Sequence, residues 1–305
     1  MSHPAEQPAP FFSVVIPTYN RAYLLPATLH SLAQQQFTDF EVLLVDDGST
    51  DNTRQVVAEL SQHHPWLRYL PKTNGERGAA RNHGSRNALG QYVTFLDSDD
   101  KLYPQHLKLA HQTLLSKQRP PWYAQNYEYI NGEGQKVRNN RRYKGDMNQR
   151  LIRGNDLSCM GVFLRKDLAT QYFFDEDRRM TAGEDWELWL RVAVDHPLAY
   201  ANHITGAMVE HDARSVLSLS AEELIARKQL MMEKVLNNPK ITRHYSPADL
   251  RTFRASNYSF IALHIVLTGE NKAIARTYLQ KALQEDPFFL YYFGRRSQAI
   301  LRRLL

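Results

Sequence analysis

Tyr92-Val-Thr-Phe-Leu-Asp-Ser-Asp-Asp-Lys101 is the stretch on which the fold turns. Residues 92–96 form a short apolar run of aromatic and β-branched side chains, the composition of a buried strand. The run stops at Asp97, Asp99 and Asp100. Three carboxylates at the tip of one strand repel one another, so a cation or a donor-rich ligand between them relieves the chain most. Hard oxygen donors of this kind suit Mg²⁺ or Mn²⁺ that phosphate oxygens also hold. The competing reading is a solvated acidic turn that caps a helix starting near Pro104. These ten residues do not choose between the two.

Working back from this stretch, strand and helix patterns alternate. Residues 12–16 read as a first strand stopped by Pro17. Residues 21–35 have helical spacing, with Leu24, Leu25, Thr28, Leu29 and Leu32 on one face. A second strand over 40–45 ends in Asp46-Asp47-Gly48-Ser49, and a helix over 51–61 turns Val56, Val57 and Leu60 inward. A short strand at 67–70 and an Ala- and Arg-rich helix at 75–89 complete the set. This alternation predicts right-handed βαβ units and a mostly parallel, Rossmann-like sheet with flanking helices. Ligands of such sheets bind outside the carboxyl ends of the strands. Those ends carry Pro17-Thr-Tyr-Asn-Arg21, Asp46-Asp-Gly-Ser49 and Asp97-Ser-Asp-Asp100, the outline of one cleft. No Gly-x-Gly-x-x-Gly follows the first strand and no Gly-Lys-Ser/Thr is present, so the dinucleotide and P-loop signatures are excluded.

Bulk properties agree with a globular protein. The chain has 305 residues, 43% hydrophobic and 23% charged. Its single cysteine, Cys159, excludes an internal disulfide and suits a reducing compartment as a core thiol. No apolar run of about 18 residues suggests a membrane span. Residues 1–10 are polar and Pro-rich, read as a disordered lead-in with no signal-peptide core. The net charge of +6 gives a mild bias toward anionic partners.

Five blocks in order resemble glycosyltransferase family 2, the inverting nucleotide-sugar transferases of GT-A fold. They are Val14-Val-Ile-Pro-Thr-Tyr-Asn-Arg21, Val45-Asp-Asp-Gly-Ser-Thr-Asp51, Gly78-Ala-Ala-Arg-Asn82, Phe95-Leu-Asp-Ser-Asp-Asp100 and Gly183-Glu-Asp-Trp-Glu-Leu-Trp-Leu-Arg191. The resemblance covers roughly residues 11–215, taken as the catalytic domain, with a helical region over 216–305. It implies that Thr18 and Tyr19 line the base of a nucleotide-sugar donor, usually UDP-linked, and that Asp47 accepts a hydrogen bond from it. Stacking on an aromatic ring such as Tyr19 is worth about 1–3 kcal/mol in single-strand nucleic-acid binders. Arg81 is placed to reach the base or pyrophosphate with its planar fork, and Asn82 is read as structural. Asp97 and Asp99 match the family's Asp-x-Asp: Asp99 as ligand of Mn²⁺ or Mg²⁺, Asp97 on the ribose or a metal-bound water. Asp100 orients the loop or caps the next helix. Asp185 is the implied general base, with Glu184 supporting it or the acceptor, and His211 a candidate contact for the metal or pyrophosphate. Without the resemblance, Asp185 reads as an acidic residue in the first turn of a helix, complementing its dipole.

The second half carries the acceptor side. A helix is expected over 103–117, a hairpin of 122–130 with 135–138 around Asn131-Gly-Glu-Gly134, and a strand over 158–164. Arg138, Arg141, Arg142 and Lys144 form a basic loop, read either as solvated or as touching an anionic acceptor or the donor phosphates. Residues 181–191 open a helix whose buried stripe is Trp186, Trp189, Leu190, Ala193 and Val194. From residue 220 the pattern is helical, with an antiparallel pair, 256–267 and 272–283, around Thr268-Gly-Glu-Asn271. Residues 288–305 place Arg295, Arg296, Arg302 and Arg303 within an arc of about 120°, opposite Phe and Leu side chains. That end reads either as a membrane-surface helix or as one docked on the protein. The expected enzyme is a cytoplasmic glycosyltransferase, peripheral on the membrane if residues 288–305 bind it. It would build cell-surface polysaccharide or lipid-linked glycan and would not bind nucleic acid. A nucleotidyltransferase, releasing pyrophosphate, and a non-catalytic binding module are the alternatives.

Overall fold

The computed structural model describes residues 9–139, 145–210, 219–269 and 271–288. Along the chain the elements are β1 (Phe12–Thr18), α1 (Leu25–Ala33), β2 (Phe40–Asp46), α2 (Thr53–Ser61), β3 (Leu67–Pro71), α3 (Glu76–Asn87), β4 (Tyr92–Phe95), β5 (Lys101–Leu102) and α4 (His106–Ser116). They continue with β6 (Trp122–Asn131), β7 (Lys136–Asn139), α5 (Met147–Leu151), β8 (Val162–Arg165), α6 (Lys166–Gln171), α7 (Glu184–Asp195) and β9 (Ala199–Glu210). The helices α8 (Ala221–Leu236), α9 (Pro239–His244), α10 (Pro247–Leu267) and α11 (Lys272–Glu285) follow. The chain divides into two compact units, residues 1–142 with 157–174 and 198–209, and residues 143–156 with 175–197 and 210–305.

The first unit holds the sheet, in the order β3-β2-β1-β4-β8-β6-β9-β5, with β7 on β6. Every residue of β1 and β2 is buried, as parallel strands covered on both faces must be. The register sets Thr18 beside Asp46 and Val15 beside Phe95, so β1, β2 and β4 deliver their carboxyl ends to one edge. Pro17 does not stop β1; the strand runs on to Thr18. The carbonyl of Val15 points at Leu96, on the β4 side. Pro17, two residues on, turns the same way, but β4 has ended, so its missing N–H interrupts no ladder.

The sheet is mixed rather than parallel throughout. β1 pairs in parallel with β2 and β4, and β2 with β3, whereas β8 runs antiparallel to both β4 and β6. The expected strand at 158–164 is split: a 3₁₀ turn covers Cys159–Gly161 and the strand is β8. Cys159 is buried, as expected. β5 and β9 have no counterpart in the sequence reading. β9 carries small, polar and apolar residues in no strict alternation and most are only half-buried, so the period-2 signal is absent.

α3 lies close against β1 because its inward face is made of Gly78, Ala79, Ala80, Gly84 and Ser85 around Arg81 and Asn82. A Cβ on Gly84 would sit 2.3 Å from Cγ1 of Val15. We expect Gly84→Ala to destabilise the protein by about 1–3 kcal/mol, the range for overpacking a tight contact. A shift in urea midpoint at constant slope checks it; an unchanged midpoint means α3 stands further from β1.

The second unit is helical. α10 and α11 form the expected antiparallel pair, for Arg254 near the start of α10 bonds Glu285 at the end of α11 at 2.7 Å. α10 begins nine residues earlier than the periodicity indicated, fixed by a capping box of Ser246 and Asp249 with Pro247 in the first turn. Ala255, Ile261, Ala262 and Ile265 pack against Ala275, Tyr278, Leu279 and Ala282. α7 is buried nearly all round: Leu188 and Val192 join Trp186, Trp189, Leu190 and Ala193, while Val194 is half-buried. No described helix is long and apolar enough to cross a membrane. Residues 1–8, Arg141, Arg142, Lys144, His211 and 289–305 lie outside the described residues.

Candidate active site

The loops at the carboxyl edge of the first unit are stitched to one another. Asn20, just past the end of β1, lies in the left-handed region at φ 52°. Its N–H donates to Ser49 Oγ at 2.9 Å, and its Oδ1 accepts from the Thr50 N–H at 2.7 Å. The Ala22 N–H donates to Asp51 at 3.1 Å. Thr28 of α1 donates to the Ser98 carbonyl at 2.8 Å, fixing the loop after β4. Asn20 can hold its left-handed conformation because Asn tolerates φ > 0 better than most residues.

Within this frame one carboxylate oxygen each from Asp97, Asp99 and Asp100 comes within 4.8 Å of the others. Arg21 Nη1 meets Asp99 Oδ2 at 2.5 Å, and Arg81 Nη2 meets Asp97 Oδ1 at 2.6 Å. Asp100 is buried and accepts from the Val209 N–H at 3.1 Å, which ties the loop to β9. Arg81, 2% exposed, also lies over the ring of Phe174, 5.2 Å from its centroid. Asn82 exchanges two bonds of 2.8 Å with the Phe174 backbone, a structural role as expected.

The two adjacent acidic residues after β2 differ. Asp46 shapes the turn, accepting from the Ser49 N–H at 2.9 Å and from the Tyr69 hydroxyl at 2.6 Å. Burial, and next this bond to a carboxylate, push the Tyr69 phenol above its ordinary range. Asp47 is buried, with Oδ1 receiving Lys72 Nζ at 2.6 Å and the Gly75 N–H at 2.9 Å. Tyr19 is 48% exposed, an open ring at the end of β1. Thr18 is buried, and among the described residues its hydroxyl has no hydrogen-bond partner. A buried hydroxyl left unsatisfied costs about 1–3 kcal/mol. An orphaned hydroxyl at the edge where three hard carboxylate oxygens converge fits a polar ligand held with a divalent cation.

Asp185 and Glu184 stand in the first turn of α7, in the second unit. Asp185 Oδ1 accepts from the Trp186 N–H at 2.7 Å and Oδ2 from Asn155 Nδ2 at 2.9 Å. Glu184 is buried and accepts from the Gly183 N–H at 3.1 Å. Trp186 anchors the helix through Nε1 to the Leu151 carbonyl at 2.7 Å. Sequence reasoning missed Lys228. It is buried, donates to the Ala182 carbonyl at 3.4 Å, and lies 4.8 Å from the ring centroid of Phe260. Burial lowers the pKa of its ammonium; the charges of Asp185 and then Glu184 oppose that shift. A signal existed: Leu224, Lys228, Met231, Met232 and Val235 share one buried face of α8, and a lysine on an apolar stripe is costly without anionic neighbours. Arg21 and Lys72 were missed too, Arg21 although it closes the first quoted motif.

A mixed α/β sheet with clustered carboxylates after its fourth strand is the GT-A arrangement of glycosyltransferases. The sequence model described as glycosyl transferase family 2 matches residues 13–173, and the chain belongs to that family. An uncharacterized glycosyltransferase of Rickettsia felis is 30% identical over 183 residues, 59% of this chain and 30% of that protein. This chain spans less than a third of the length of the first curated relatives it matches. WfgD of Escherichia coli is named as a UDP-Glc:alpha-D-GlcNAc-diphosphoundecaprenol beta-1,3-glucosyltransferase. It is 29% identical over 198 residues, 62% of this chain and 72% of WfgD. Among solved structures, TarS of S. aureus in complex with UDP-GlcNAc superposes with a TM-score of 0.65 at 23% identity. The match covers 95% of this chain and 83% of that one. That likeness establishes the fold.

Proposed function

We propose that the chain moves a sugar from a UDP-linked donor to a hydroxyl of a lipid-linked glycan. The reaction inverts the anomeric carbon, and Asp99 holds Mn²⁺ or Mg²⁺. The observation that carries this reading is the convergence of Asp97, Asp99 and Asp100 within 4.8 Å at the edge where the Thr18 hydroxyl has no partner among the described residues. TarS has been solved with UDP-GlcNAc and with UDP, which supports the donor. WfgD and a Campylobacter jejuni glucosyltransferase carry undecaprenol in their names, which supports the acceptor. A mannosyltransferase of Pyrobaculum calidifontis, TM-score 0.57 at 17% identity, was solved with GDP-Man and Mn²⁺.

In this reading Thr18, Tyr19 and Asp47 receive the base and ribose, and Tyr19 offers its exposed ring to the base. Arg81 holds Asp97 in place for the ribose. Asp99 would hold a divalent cation, which would supply positive charge to offset that gathering on the departing nucleoside diphosphate. Asp185 takes the proton of the acceptor hydroxyl, whose oxygen bonds to the anomeric carbon as the bond to the diphosphate breaks. Asn155 orients the Asp185 carboxylate, and Glu184 braces the same turn. A panel of UDP-, GDP- and dTDP-sugars, read by nucleoside diphosphate release with Mn²⁺ present, tests the proposal. Release from a UDP-sugar is expected, slow with water alone. Pyrophosphate release would make the protein a nucleotidyltransferase, and no binding heat for any of these compounds would end the proposal.

A further inference from the structure

The cluster after β4 is held by two arginines of different character. Arg81 projects from a helix, its side chain is 2% exposed, and an aromatic ring covers it. Arg21 projects from a loop, and its side chain is 24% exposed against 7% for the Asp99 carboxylate it holds. The backbone on either side of Arg21 is pinned, at Asn20 by Ser49 and at Ala22 by Asp51. A pinned base and a long, partly solvated side chain leave the guanidinium able to change partners without moving the loop. Among the described residues, the pair with Asp99, at 2.5 Å, is the bond its guanidinium makes.

Asp99 is also the residue read as the cation ligand, so the following rests on that reading. A divalent cation and a guanidinium cannot both take the Asp99 oxygen that Arg21 meets, Oδ2, and their like charges repel nearby. A diphosphate removes the conflict, because its oxygens accept the planar fork of an arginine well. We propose that Arg21 is an exchange residue: it holds Asp99 while the site is empty, then releases it to a divalent cation and passes to the donor diphosphate. Cation and diphosphate therefore bind with positive coupling, each easing the other by the same factor. In the empty protein Arg21 keeps an acidic cluster neutralised that would otherwise collect cations without substrate.

One substitution then has two effects of opposite sign. With no nucleotide present, Arg21→Met should bind Mn²⁺ about tenfold more tightly than the wild type, read from the free-Mn²⁺ signal in electron paramagnetic resonance. With saturating Mn²⁺, the same variant should bind UDP about tenfold more weakly, read by calorimetry. Arg21→Gln repeats both measurements should the methionine variant fold poorly. Unchanged or weaker Mn²⁺ binding in both variants overturns the exchange role while leaving the cation site standing. A wild type that takes no Mn²⁺ even with UDP, matched by Asp99→Asn, overturns the cation site and this proposal together.

Discussion

Asp185→Asn is expected to lower the rate of sugar transfer by about 10²–10⁴-fold, the usual contribution of a positioned general base. UDP affinity should stay nearly unchanged. The carboxylate sits in the first turn of α7, with one oxygen on its neighbour's backbone N–H and the other on Asn155. An asparagine can still accept from the Trp186 N–H, and the Asn155 amide can turn to face it, so the helix start survives while the basic oxygen is lost. Lys228 provides a companion measurement. The groups facing its ammonium are Glu184 and Asp185 from α7, the Ala182 carbonyl, and the rings of Trp186 and Phe260. Arg227 reaches the Thr181 carbonyl of the same turn at 3.3 Å. A nearby ammonium favours the ionised carboxylate. Lys228→Met should therefore move the acid limb of the rate profile to higher pH. Equal turnover in Asp185→Asn and wild type would falsify the assignment of the base.

Asp99→Asn should cost more than the roughly 10–100-fold in cation affinity that follows loss of an outer partner of a metal ligand, and transfer should fall with it. The substitution removes one of three clustered negative charges and leaves Arg21 without its ionic partner. The amide still accepts a hydrogen bond but carries no charge for a hard cation. Asp97→Asn serves as the contrast. It removes the charge that Arg81 Nη2 meets, at a side chain 2% exposed, so its larger effect should be on stability. Mn²⁺ titration and thermal melting of the two variants separate the roles. Matching losses in both measurements would mean that the cluster acts as a structural unit alone.

The carboxyl-edge site was legible because its signals are local. Each of Asp46-Asp47 and Asp97-Ser-Asp-Asp100 follows an apolar run directly, and a parallel sheet sends all such ends to one side. The register of β1 with β2 and β4 does this, placing Thr18 beside Asp46 and Val15 beside Phe95. Pro17 misled the boundary of β1, because whether a missing N–H matters depends on where the neighbouring strand stops. β9 was invisible for a related reason. Half-buried on a sheet whose neighbours arrive from distant sequence, it needs no alternating pattern to be stable.

The sequence by itself determined the four parallel strands, the acidic edge and the family, because burial on two faces and three adjacent carboxylates each leave a mark within a few residues. Only the tertiary structure decided which cation answers which carboxylate. Arg21 lies 78 residues from Asp99, and the separation of Lys228 from Asp185 is of the same kind. Coulomb energy depends on distance in space, and the path between such residues is set by packing that no short window of sequence records.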